Sequence, residues 1–267
     1  MRWIRKWGYY SYSVLEMMLN IKNWPKIIPF FLQRSLKRRS LLKLRRPPVE
    51  ILVRSAMDIW SVKETFFDQF YTRYGVPIQD GWTVMDIGAG IGDFCIYAAH
   101  GNPSTEVYAF EPFYDSFELL KENLALNGIQ NVKVIQKAVW GEETELKLQL
   151  SNGEPLQISS HHQFSGELAA EDLTVDAISL EAAMPFSQIR KVDLLKMDCE
   201  GAEYGILLNA APKALSRVAR IIMEYHDIDQ VHTHPKIIAF LEDQGYKVTC
   251  YRNQVHDDIG YLFAMRT

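Results

Sequence analysis

Cysteine is scarce in this 267-residue chain: Cys95, Cys199 and Cys250 are odd in number and far apart. That argues against a disulfide framework and for a reducing compartment. No Cys-x-x-Cys pair or Cys/His cluster has the spacing of a zinc site, and no motif demands another metal. No apolar run approaches the length that spans a bilayer. The basic start lacks an uninterrupted apolar core and a small-residue cleavage site, so no secretory signal is expected and the cytoplasm is the expected location. Repeats and low-complexity runs are also missing. Hydrophobic residues make up 48% and charged residues 23%, as in ordinary globular proteins. The length suits one large α/β domain with an appendage.

Acids are nearly absent from residues 1–48, which hold 12 Lys/Arg and only Glu16 against them. The remainder carries 17 basic and 32 acidic residues. A basic arm thus precedes an acidic body. Within the arm, Trp3, Trp7, Tyr10, Val14, Met17 and Ile21 recur at alternating steps of four and three, one face of a helix. Pro25 and Pro29 break this segment. A second segment, Phe30 to Leu44, carries Arg34, Lys37, Arg38, Arg39 and Lys43, and Pro47-Pro48 reads as the boundary to a domain over 49–267. Three readings stay open for this helical extension: its apolar stripe packs on the domain, it lies on an anionic membrane at the cytoplasmic face, or it meets a protein or nucleic-acid partner.

Beyond residue 49, strands and helices alternate. Ser61 and Glu64 have capping-box spacing, with Ile59, Val62, Phe66 and Phe70 on one helical face. Strands are expected at Trp82–Ile87, Glu106–Phe110 and Val132–Gln136, with helices after the first two. Between Glu145 and Ile178 the rhythm pauses, and 151–172 is a polar candidate for a substrate-facing insertion; His161 and His162 fall there, weak candidates for substrate contact. Strands at Val192–Met197 and Ala219–Glu224, each followed by a helix, resume it, and two closing strands follow. This order implies a mostly parallel sheet covered on both faces. The final hairpin can add one antiparallel strand.

The most informative stretch is Asp86-Ile-Gly88-Ala89-Gly90-Ile91-Gly92-Asp93, a strand end followed by a glycine turn that opens a helix. A dinucleotide fingerprint, G-x-G-x-x-G/A, would need Gly or Ala at Asp93. The run instead resembles D-x-G-x-G-x-G, the first motif of S-adenosylmethionine-dependent methyltransferases. Glu111, in Glu111-Pro112 at the end of the next strand, suits two hydrogen bonds from vicinal ribose hydroxyls. Lys196-Met-Asp198-Cys-Glu200-Gly-Ala-Glu203 follows an apolar strand, placing Asp198 at the same crevice; acids at the helix start, Glu203 above all, also suit the helix dipole. Glu224 and His226 end the next strand and point to one side of it. His226 is a candidate base, or an ordinary surface histidine.

Together these segments resemble the FkbM family of S-adenosylmethionine-dependent methyltransferases. Asp86-Ile-Gly-Ala-Gly-Ile-Gly, Glu111-Pro112, Leu119 through Asn127, Leu173-Thr-Val-Asp176, Lys196 through Glu203 and Glu224-Tyr-His226 carry the likeness over residues 80–227. One departure is Gly90, where the family often has Asn. The resemblance implies an α/β fold of class I methyltransferase (Rossmann-like) type, a three-layer sandwich on a seven-stranded mostly parallel sheet. It implies S-adenosylmethionine as cofactor and O-methylation of a hydroxyl on a sugar, glycan or secondary-metabolite acceptor. Asp86, Gly88 and Gly90, with Ala89 and Ile91 in the same turn, would line the methionine end. Glu111, beside Pro112, would hold the ribose, and Ala138 would sit by the adenine. Asp198 and Glu200 would face the transferred methyl. Glu224 and His226 complete the candidate catalytic set, with His226 or Asp198 as base. Asp198, Glu224 and His226 alternatively suit a divalent ion that orients a diol. The rival readings are a nicotinamide oxidoreductase, opposed by Asp93, a nucleic-acid methyltransferase using the arm, opposed by the acidic body, and a non-catalytic scaffold that docks through the arm.

Overall fold

The computed structural model describes residues 2–32, 39–151, 154–155, 172–185, 188–253 and 255–267. Seven strands form the central sheet: β1 (Thr83–Ile87), β2 (Glu106–Phe110), β3 (Val132–Ile135), β4 (Leu194–Met197), β5 (Arg220–His226), β6 (Tyr246–Arg252) and β7 (Ile259–Arg266). Their order is β3-β2-β1-β4-β5-β7-β6. All pairings are parallel except those of β7, which runs antiparallel to both β5 and β6. The expected mostly parallel sheet with one antiparallel strand is therefore present.

Nearly continuous apolar strands are what a sheet covered on both faces requires. Alternation sends Val84, Val107, Ala109, Leu194 and Ile222 to one face, against Phe94, Leu119 and Leu120 of helices Asp93–Ala99 and Tyr114–Leu126. It sends Met85, Tyr108, Leu195, Ile221 and Met223 to the other, against Ile206, Leu207, Ile237 and Leu241 of helices Glu203–Leu208 and His234–Asp243. These are the three layers. Strand order reverses between β1 and β4, and ligands of open α/β sheets bind at such a switch point. Register places Ile87 beside Phe110 and Met197, and Met197 beside Met223. The residues that follow these strand ends therefore open onto one edge.

A smaller sheet interrupts the alternation after β3. Ala138–Trp140 runs parallel to Asp172–Ser179, which pairs antiparallel with Thr144–Ser151 and through it with Glu154–Pro155. Most of the 151–172 insertion, with His161 and His162, lies outside the described residues, as do Arg34, Lys37 and Arg38 of the arm.

The arm is helical over Arg2–Asn20. Its docked edge differs from the stripe expected: Tyr9, Ser13, Glu16 and Met17 face the domain, while Trp7 and Val14 are exposed. The reason is a buried lysine. Lys63 is fully buried, its Nζ 2.5 Å from Asp68 Oδ2 and 3.1 Å from the Tyr9 hydroxyl, with Glu16 at 3.7 Å. An unpaired buried ammonium is costly, and the arm supplies part of its surroundings. Ser40–Lys43 is a strand, not helix; it pairs antiparallel with Glu50–Val53 across Pro47 and Pro48, which lie in the turn. Met17, Ile21, Leu42 and Leu44 share a core with Val84 and Ile222. No helix among the described residues is long and apolar enough to cross a membrane.

Helix Ala56–Lys63 begins with a different cap from the one expected. Ser55 accepts from the Asp58 N–H at 3.0 Å while the Asp58 carboxylate accepts from the Ser55 N–H, the reciprocal capping arrangement. Ser61 and Glu64 lie further along. The single face expected through Phe70 is broken by a π-helical turn at Glu64–Asp68, closed by Gln69 at φ 53°. Such wide turns recur at functional sites, and this one carries Glu64 toward the strand ends.

Candidate active site

A cavity of about 490 Å³ opens at the switch point. One part of its wall is the glycine turn, Gly88 to Gly90, with Glu111 and Pro112; another is Phe110, Ala138 and Val139; a third is Asp198, Cys199 and Glu200. Gly88 sits at φ 74°, and a Cβ there would lie 1.9 Å from the Asp198 carbonyl oxygen. Only glycine lets the ends of β1 and β4 close so tightly. Gly90, at φ 52°, has no heavy atom within 4 Å of a Cβ position. Asparagine tolerates that backbone region, so this departure from the family pattern costs the site nothing.

Glu111 is locked to the turn. Its Oε2 accepts from the Gly90 N–H at 2.8 Å and its Oε1 from the Phe113 N–H at 2.9 Å. Burial nevertheless outweighs these bonds and pushes its carboxyl up to about 7. Asp86 and Ile91, expected in the cofactor wall, are buried and absent from the cavity lining. Asp86 stands behind the turn, its Oδ1 3.0 Å from Lys196 Nζ and its Oδ2 accepting from Cys95 Sγ. Lys196 also donates to the Gly88 carbonyl at 2.9 Å. Burial opposes the lysine charge, but Asp86, Asp198 and Asp93 hold it firmly protonated. The pair thus pins the turn, with Lys196 itself in the cavity lining and Asp86 behind it. Asp93 does line the cavity, accepting from Ser61 and Thr65.

Asp198, Glu224 and His226 converge as expected from their strand-end positions, one ligand-capable atom of each lying within 4.8 Å of the others. Asp198 Oδ2 accepts from the Tyr71 hydroxyl at 2.8 Å. Burial, then Asp198 and Glu64, raises the Glu224 carboxyl well above the usual carboxylate range. Burial and Asp198 push Glu64 up to about 8. Glu200 adopts φ 51° ahead of Gly201 at φ 101°, the kind of uncommon backbone held at functional sites. Glu203 is fully buried, accepts from the Cys199 N–H at 2.8 Å, and faces His226 Nδ1 at 3.5 Å. Its part is therefore more than a helix-start charge.

His226 departs from the expectation of a free base. Burial disfavours its charge, but Glu203, Glu200 and Asp198 outweigh this and lift its pKa to about 10. At neutral pH the imidazole already carries the proton a base would accept. Tyr71 and Glu64 were missed by sequence reading. Tyr71 lies 127 positions from its partner Asp198, and nothing local marks it. Glu64 sits within the regular Ile59, Val62, Phe66, Phe70 spacing, which gives no sign of the π-helical turn at Glu64–Asp68.

The strand order and the cavity at the switch point define a class I methyltransferase fold. A family model described as "Methyltransferase FkbM domain" matches residues 86–248, and the chain belongs to that family. The chain is similar to the 31-O-demethyl-FK506 methyltransferase FkbM of Streptomyces tacrolimicus, at 26% identity over 77% of this chain and 88% of the relative. It is similar to the hexuronic acid methyltransferase AglP of Haloferax volcanii, at 26% identity over 65% of this chain and 69% of the relative. Among solved structures it is similar in fold to Methyltransferase FkbM from Methylobacillus flagellatus, with TM-score 0.50 and 15% identity over 73% of this chain and 47% of that one.

Proposed function

We propose that this methyltransferase uses S-adenosylmethionine to methylate a hydroxyl oxygen of a sugar, glycan or secondary-metabolite acceptor. The observation that carries this reading is one continuous cavity with Glu111 and the glycine turn in one part of its wall and Asp198 and Glu200 in another. That lining fits the cofactor. A buried carboxylate suits a ribose diol, Phe110, Ala138 and Val139 suit an adenine, and acids suit a sulfonium. When bound, the cofactor supplies a methyl group on a good leaving group.

The protein's part is mainly alignment. Glu111 receives the ribose hydroxyls, and Lys196 and Asp86 keep the turn in shape beneath them. Asp198, steadied by Tyr71, is the group placed to take the acceptor proton, a role worth about 10²–10⁴-fold in rate. His226 stays cationic and balances Glu200 and Glu203. An oxygen acceptor is supported by the names of the two relatives, one an O-demethyl compound methyltransferase and one acting on a hexuronic acid. Incubation with S-adenosylmethionine and a panel of hydroxylated sugars and polyketides, read by mass spectrometry, tests it. Methylation only of amines, or of none while the cofactor binds, would overturn the oxygen assignment.

The arm supports contact with an anionic membrane surface at its cytoplasmic face. Trp7, Val14, Leu15 and Leu19 are exposed on one side of the helix, within a segment of 12 Lys/Arg and one acid. Exposed apolar side chains in a segment rich in Lys and Arg can bind acidic lipid. Co-sedimentation with phosphatidylserine but not phosphatidylcholine vesicles is expected; equal recovery with both would remove the idea.

A further inference from the structure

We propose that Asp198, Glu224 and His226 hold a divalent metal ion beside the cofactor cavity, with open coordination positions for acceptor oxygens. The ion's role rests on the methyltransferase reading above; its binding does not.

The geometry comes from the sheet. Glu224 and His226 are two apart on β5 and share a side, and Asp198 follows the end of the adjacent β4. Their candidate ligand atoms lie within 4.8 Å of one another. That is a span one ion can bridge after small side-chain movements.

Three further observations point to a cation rather than a chance gathering of acids. Glu224 is only 9% exposed, and among the described residues no hydrogen-bond donor reaches its carboxylate. A carboxyl group so largely removed from water, with Asp198, Glu64 and Glu200 as acidic neighbours, gains from a cation placed among them. Next, His226 has the environment of a metal-ligating imidazole. Its Nδ1 faces Glu203 at 3.5 Å, and Glu203 is itself fixed by the Cys199 N–H. A carboxylate behind one ring nitrogen orients the other toward a metal. Here the other nitrogen, Nε2, has Glu200 Oε2 at 3.6 Å, on a half-exposed side chain free to join the coordination. Finally, Tyr71 steadies the Asp198 carboxylate by its hydrogen bond to Oδ2. With the ion bound, the roles given above for the metal-free site would change: the ion would take the place of the proton on His226, since a ligating imidazole is neutral, and Asp198 would act by holding the ion rather than by taking the acceptor proton.

Two carboxylates and one imidazole suit magnesium or manganese, with water or hydroxyl oxygens filling the remaining positions. A bound cation beside the cavity would orient two oxygens of a diol-bearing acceptor. The competing explanations are that the cluster balances the charge of the cofactor itself, or that of a cationic acceptor.

The test is titration of the full chain with Mn²⁺, read by loss of the free-ion electron paramagnetic resonance signal, with and without saturating S-adenosylhomocysteine. Saturable binding of one Mn²⁺ per chain is expected, retained with S-adenosylhomocysteine bound. Glu224→Gln and Asp198→Asn should each weaken it at least about tenfold, and Glu203→Gln, behind the imidazole, about 10–100-fold. Thermal melts and far-ultraviolet circular dichroism of the same variants report that they are folded. Wild-type affinity in both Glu224→Gln and Asp198→Asn would overturn the proposal. So would mutual exclusion of Mn²⁺ and S-adenosylhomocysteine, or no saturable uptake of Mn²⁺ by the wild type. Mn²⁺ binding without cofactor binding would leave the metal site standing and remove the methyltransferase reading.

Discussion

The Gly90 N–H donates to the Glu111 carboxylate at 2.8 Å. The glycine turn after β1 and the acid after β2 are therefore one assembly. Glu111→Ala removes the acceptor for two backbone N–H groups as well as the proposed ribose contact. Hydrogen bonds to charged groups are worth about 1.5–3 kcal/mol. Glu111→Ala should accordingly weaken S-adenosylhomocysteine binding at least about tenfold in isothermal titration, and Glu111→Gln less, since the amide oxygen still accepts from one N–H.

The Glu111 carboxyl also sets a pH dependence. Its folded pKa is raised from the ordinary 4.5 to about 7. Between those values the folded protein holds a proton that the unfolded chain has lost, so this group's contribution to stability falls as pH rises through the window. Melting temperature in the absence of cofactor should drop less steeply from pH 5 to 7 in Glu111→Gln than in the wild type. Cofactor affinity should move oppositely, rising through about pH 7 as the carboxylate ionises and accepts the ribose hydroxyls. An identical profile in Glu111→Gln would remove Glu111 from the explanation.

Gly88 and Gly90 should respond differently to substitution although both have positive φ. Gly88→Ala drives a methyl into the Asp198 carbonyl at 1.9 Å; it should either fail to fold or lose cofactor binding. Gly90→Asn enters open space in a backbone region that asparagine adopts, and should change stability by no more than about 1 kcal/mol. Thermal melts and cofactor titration of the two variants make the comparison.

Lys196→Met strands Asp86 without its cation in a fully buried position. Breaking a buried pair in this way costs about 3–5 kcal/mol, to be read by urea denaturation. Lys196→Met combined with Asp86→Leu should recover part of that loss, because neither charge is then left alone.

Much of this architecture was legible because its signals are local. The strand–helix alternation gave the sheet, the glycine turn marked the switch point, and Glu111 and Asp198 stand where strand ends place them. The motif position of Asp86 points to the cofactor wall and says nothing of Lys196, 110 positions away, which claims its carboxylate. The sequence offers His226 or Asp198 as base, and no local signal shows that Glu203, Glu200 and Asp198 surround His226 and favour its charged form. The Ser61–Glu64 spacing imitated a cap that Ser55 and Asp58 make, and the docked edge of the arm followed a buried lysine rather than the apolar stripe. These misreadings share a cause: each side chain's partner comes from a distant segment or from a competing local pattern.

The most direct test of the account is isothermal titration of the purified chain with S-adenosylhomocysteine. One saturable site, weakened by Glu111→Ala and unchanged by an exposed-surface control such as Lys121→Ala, is predicted. No heat from the wild type, or equal affinity in Glu111→Ala, would contradict it.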